Sequence, residues 1–162
     1  MDIRSYYESC KKLIEEHGYF IQGVGPDPNN NESHYMYTVG RELIGKFDFL
    51  LINNNNASIL NDIVKQFDMN VSSNYSLNSQ SSLIIELDTF TVNGKRARFL
   101  LKKVCPDKLR NVCLGCWNNN VGVSKPIGFY QVFYSDNRNI LPNENFFNED
   151  YNQLDYTLSK NF

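Results

Sequence analysis

The sequence predicts a single α+β domain over residues 1–162: a mainly antiparallel sheet of about six strands, packed with three helices and followed by an extended C-terminal tail. Three observations predict it. Apolar residues alternate between helical spacing and short strand-like runs. Most links between the runs have hairpin length, and one Asn-Gly pair joins two long strands.

Taken in order, Ile3, Tyr6, Tyr7, Cys10, Leu13 and Ile14 recur at helical spacing, with Lys11, Lys12, Glu15 and Glu16 on the other side and Gly18 as the stop. Residues 19–24 read as a strand. The Pro, Gly and Asn residues of 25–33 mark a mobile loop. A second strand at 34–39 ends in a turn at Gly40. Phe47 to Ile52 is apolar almost throughout, which suits a central strand covered on both faces. The asparagines after it offer caps for a helix that buries Ile59, Leu60, Ile63, Val64 and Phe67. Residues 70–82 are polar and read as a second mobile loop. Strands 83–92 and 95–104 are joined by Asn93-Gly94, whose preference for positive φ suits a type I′ hairpin. Pro106 starts a third helix, to about Trp117, and 118–128 is a third mobile loop. The last strand is 129–134, and 136–162 is a tail of little periodicity.

Composition narrows the function. Hydrophobic residues at 41% and charged residues at 21% describe a globular chain, and a net charge of -2 disfavours polyanion binding, so no nucleic acid is expected as partner. No apolar run is long enough to span a membrane. The N-terminal stretch is charged throughout and unlike a signal peptide, and the four cysteines do not form a secreted framework. These features lead us to expect a cytoplasmic protein with no membrane partner.

Several short elements in fixed order carry a resemblance. His17-Gly18-Tyr19, Tyr37-Thr38-Val39-Gly40, a strand ending near Ile52, Leu60-Asn61-Asp62 and Gln131-Val132-Phe133-Tyr134-Ser135-Asp136 together resemble the bacterial family known as domain of unknown function 4262. Leu141-Pro142 and Gln153 stand where relatives carry Trp-Pro and Gln-Pro, although here Leu141 replaces the Trp and no Pro follows Gln153. The resemblance spans roughly residues 17 to 155 and implies the fold boundary. It brings no activity and no catalytic residues.

The chemistry-bearing residues are few. Cys113 and Cys116 form a C-x-x-C late in the third helix, where the helix dipole opposes a thiolate. A zinc site would need a fourth ligand brought from His34 or Cys10, whereas a buried stripe with Leu109 and Val112 needs nothing more. We therefore expect no metal and no cofactor. A strict two-residue turn would pair Asp88 with Phe99 and Glu86 with Leu101. Carboxylates would then stand among apolar neighbours, unless a β-bulge resets the register. Arg96, Arg98 and Lys102 line up as a basic strip suited to an acidic partner or to simple solvation. Thr38 sits at a strand-to-turn junction, and Gln131 and Asp136 on the last strand and its exit, near the loops where binding groups collect. No nucleophile motif is present, so no catalytic residue is assigned. The reading that follows is a non-catalytic protein-binding module, an inhibitor or immunity-type partner of another protein with an acidic surface. The alternative is a small enzyme for an anionic or nucleotide-like substrate, with a pocket near His34, Tyr37 and Arg41.

Overall fold

The computed structural model describes residues 2–25, 34–54, 56–73, 82–104, 128–153, 155 and 157. Helix α1 (Ile3–His17) begins where the Asp2 carboxylate accepts the Ser5 N–H at 2.7 Å, and it ends where Gly18 turns left-handed and donates its N–H to the Ile14 carbonyl. Strands β1 (Phe20–Val24), β2 (Tyr35–Val39) and β3 (Asp48–Ile52) follow as an antiparallel meander. Between β2 and β3, Gly40 holds φ 107° beside α1, and a Cβ there would stand 2.8 Å from Ile14 Cγ1. Only glycine meets both demands.

Helix α2 (Ala57–Ser73) takes its start from the asparagine run: the Asn54 and Asn56 side chains accept the N–H groups of Asn56 and Ser58. Ile59, Leu60, Ile63, Val64 and Phe67 are all buried, on the face the spacing predicts. Each such burial contributes about 1.5–3 kcal/mol. Strands β4 (Ser82–Val92) and β5 (Lys95–Lys103) close at Asn93 and Gly94, with φ of 53° and 73° as a type I′ turn requires. Strand β6 (Phe129–Tyr134) completes a sheet of order β1-β2-β3-β6-β5-β4.

That order makes two antiparallel halves meeting at one parallel seam, β3 against β6. The seam explains why every residue of β3 is buried: both edges are paired and both faces are covered. One face packs against α2 through Met36, Phe49, Leu51, Ile85, Leu87, Phe99, Leu101, Tyr130 and Val132. The other is covered in two parts. Ile14 of α1 packs on Tyr37, Val39, Leu50 and Ile52, while Leu141 of the tail packs on Leu100 and Phe133.

Two expectations need adjustment. The loop expected at 70–82 is shortened, because α2 runs to Ser73 and β4 starts at Ser82. Once a helix is anchored, each added residue gains a backbone hydrogen bond at small cost, so polar residues extend it. The tail is extended, with only a 3-10 turn at Glu149–Tyr151, yet Asp136 to Gln153 lies bound against the sheet. The loops expected at 25–33 and 118–128, the centre of the 70–82 loop, and the third helix with Cys105, Cys113 and Cys116 fall outside the described residues, except for Gly25 and Gly128. Among the described residues no helix is long and apolar enough to cross a membrane, and no three His, Cys, Asp or Glu side chains gather as a metal would require.

Candidate functional site

Thr38, Gln131 and Asp136, expected at a functional surface, build the scaffold instead. Thr38 is buried and donates its hydroxyl to Asp48 Oδ1 at 2.7 Å while accepting the Phe49 N–H at 2.9 Å. Gln131 is buried in the middle of the sheet, in register between Leu50 and Lys102. Asp136 is buried just past β6: Oδ1 accepts N–H groups from Arg138 and Ile140, and Oδ2 accepts that of Asn148. Burial works against its charge, but the backbone donors of Ile140, Asn148 and Arg138 and the Arg138 guanidinium outweigh it and hold the carboxyl below its ordinary value.

His34, Tyr37 and Arg41 do not converge. His34 stands at the start of β2, its carbonyl accepting the Asn53 N–H, whereas Arg41 lies beyond the other end of that strand. Tyr37 is buried on the face opposite α2. His34 shares its end of the sheet with Asp136, but the Asp136 carboxylate is engaged within the tail.

The basic strip on β5 is matched charge for charge by this chain. A bulge between Leu87 and Thr91 resets the hairpin, so that Glu86 faces Arg98 and both Glu86 and Asp88 are exposed. Arg96 pairs with Asp88 at 2.9 Å in solvent. Arg98 grips both oxygens of Glu144 at 2.7 and 2.9 Å and also donates to the Asn139 carbonyl. Lys102 reaches Asp155 at 3.3 Å with its ammonium over the Phe133 ring. Two side-chain amides complete the attachment. Asn139 donates to the Arg96 carbonyl and accepts the Arg98 N–H, and Gln153 does the same to Tyr134. Asn139 stands in for a strand residue beside β5 where β6 has run out, and Gln153 satisfies the last residue of β6 itself. The contacts of Arg98, Lys102, Asn139 and Gln153 dock the tail on the sheet, while Arg96 stays within the hairpin.

An open site lies elsewhere. A groove of about 660 Å³ runs between the end of α1, the start of β1, the 3-10 turn at Arg41–Ile44 and the outer side of α2. Its apolar walls include Leu13, Tyr19, Ile21, Ile44 and Val64. Leu13 is 40% exposed and Ile44 56%, large values for side chains of this size. At the floor, Arg41 is only 2% exposed, donates Nε–H to the Phe47 carbonyl at 2.6 Å and forks onto Asp68 at 2.7 and 3.0 Å. Lys46 joins the same carboxylate at 3.6 Å, and Lys65 also lines the groove. Among the described residues that line the groove, three cations thus accompany one carboxylate, and the groove is apolar with a net positive rim. Tyr19 donates to Asn61 Oδ1 at 2.6 Å. Burial raises its pKa, which the Arg41 charge opposes and Asp68 and Asp62 reinforce, so the phenol stays a neutral donor.

No family model, curated protein or solved structure matches the chain. Sequence reasoning found Arg41 but missed Leu13, Ile44 and Lys65. Leu13 has helical spacing with Cys10 and Ile14 and was expected to be buried with them. Cys10 is buried, but Leu13 hangs past the sheet edge over the groove. The usable signal was Leu43-Ile44, an apolar pair in a turn beside Gly45, with no strand or helix to bury it.

Proposed function

We propose that this protein is a non-catalytic protein-binding module, an inhibitor or immunity-type partner of another protein in the bacterial cytoplasm. The observation that supports it is the groove, where exposed Leu13 and Ile44 flank apolar walls and lysines outnumber the carboxylate. An apolar anchor with an acidic flank is the complementary shape. The bacterial part of this reading rests on the sequence resemblance to domain of unknown function 4262, and the cytoplasmic part on cysteines that do not form a secreted framework. The enzyme alternative gains nothing from the geometry, since His34 and Tyr37 stand away from Arg41 and Asp68 already holds that guanidinium.

The test is affinity retrieval from the cells that make the protein, with wild type, Leu13→Asp, Ile44→Asp and Arg96→Glu compared at equal folded concentration. A protein recovered in stoichiometric amount by wild type and Arg96→Glu, and lost with both groove variants, is expected. Retention by the groove variants and loss with Arg96→Glu would move the site to the hairpin.

A further inference from the structure

The tail presents one side chain that the fold does not use. Phe146 is 84% exposed, the most of any large apolar residue among those described, and it belongs to none of the buried clusters. Its backbone sits at φ 69°, the left-handed region that a bulky side chain adopts only against strain. The surroundings impose that conformation. Leu141 is fully buried, and its N–H is held by the Glu144 carboxylate that Arg98 grips. Arg138 donates to the Phe146 carbonyl, and the Asn148 N–H is held by Asp136. A turn fixed on both sides of residue 146 would accept Asn or Gly at lower cost, so packing does not account for the aromatic ring. Strain that persists in a rigid frame around an exposed anchor fits a presented contact residue. Its exposed neighbours within four residues are Asn143, Asn145, Glu149 and Asp150, a polar rim with two carboxylates.

That loop and the groove are complementary: an aromatic ring with an acidic rim on one, apolar walls with the exposed Lys46 and Lys65 on the other. Within one chain they stand apart: the tail docks on β5 and β6, whereas the groove opens beside β1, and β2 and β3 lie between them in the sheet. We propose that the Phe146 loop of one copy inserts into the Leu13–Ile44 groove of a second copy, giving a head-to-tail, heterologous contact. The inference rests on the groove being a docking face, and it adds that the chain supplies its own competing occupant. A contact of this kind links different patches on the two copies, so it continues into chains or closes into rings rather than stopping at a dimer.

Sedimentation equilibrium of the full chain at low salt, up to a concentration on the order of 1 mM, tests this. For wild type the average mass should climb with concentration above the 18.8 kDa of one chain, and about 0.5 M salt should suppress the climb. Phe146→Asn, which suits the left-handed backbone, and Ile44→Asp should each remain at one chain mass. Mixed together, the two variants should form a one-to-one dimer and nothing larger, since each retains one intact half of the contact. A wild type that stays monomeric, variants that still associate, or a mixture that does not dimerise overturns the proposal. If self-association is absent while the groove variants still lose an outside partner, only this inference falls.

Discussion

On β5, Arg96, Arg98 and Lys102 face Asp88, Glu144 and Asp155, one carboxylate for each cation. Among the described residues that line the groove, Arg41, Lys46 and Lys65 stand with one carboxylate, Asp68, which Arg41 and Lys46 both reach. The hairpin strip is the more conspicuous in sequence, being compact and on a single strand. Two of its three charges, Arg98 and Lys102, are nevertheless used to fasten the tail over Leu100 and Phe133. The groove cations come from two separate segments, the β2–β3 connection and α2, and leave a positive rim beside exposed apolar groups. A cluster of like charges thus says little about partners until its counter-ions within the chain are known; unmatched charge beside exposed apolar surface says more.

Four changes sharpen the contrast, from the largest expected effect down. Arg41→Leu strands the Asp68 carboxylate and the Phe47 carbonyl at the groove floor and should cost about 3 kcal/mol of stability in denaturant unfolding. Arg98→Glu sets like charges against each other where the tail docks and should cost about 2 kcal/mol. Arg96→Glu, exposed and one strand position from the turn, should change stability by less than about 0.5 kcal/mol. Equal costs for Arg96 and Arg98 would erase the distinction between solvated and tail-binding members of the strip. Ile44→Asp should leave the unfolding midpoint within about 0.5 kcal/mol of wild type while abolishing association through the groove.

Acid should separate the two regions as well. Glu144 lies below its ordinary value because Arg98 and the Leu141 N–H bond its charged form. Asp155 is also lowered: burial opposes the charge, but the Thr157 hydroxyl and N–H and then Lys102 outweigh it. Asp136 shifts the same way. A carboxyl depressed in the folded state adds stability above its unfolded pKa, near 4, and loses it as pH falls through the folded value. The melting temperature of wild type should therefore fall below about pH 4. In Asp136→Asn/Glu144→Gln/Asp155→Asn it should start lower and vary less with pH over that range. Parallel curves for the two proteins would show that the tail carboxylates do not carry the acid response.

Local signals were legible and distant ones were not. Asn93-Gly94, the α2 stripe and the apolar β3 run each act over a few residues, so hairpin, helix and central strand follow from sequence. The bulge was legible as a conflict, because strict pairing would have set Glu86 and Asp88 against apolar partners. The β3–β6 seam joins strands separated by α2 and a hairpin, and Arg98 meets a carboxylate 46 residues away. Neither leaves a mark in nearby sequence. Thr38, Gln131 and Asp136 stood out as polar residues on strands or just past them, yet each is buried; a strand read alone does not reveal which other segments cover it. The groove is hardest to foresee because four elements each give it a wall and none is unusual by itself.

The account depends most on the strip being internal to the fold, and a double-mutant cycle on Arg98→Met and Glu144→Gln measures that directly. The side chains form a two-pronged, half-buried pair at 2.7 and 2.9 Å, so the coupling free energy from denaturant unfolding should be about 1 kcal/mol, with each single change also loosening the tail. Additive effects of the two substitutions, with no coupling, would mean that Arg98 does not hold the tail and that the strip remains free for a partner.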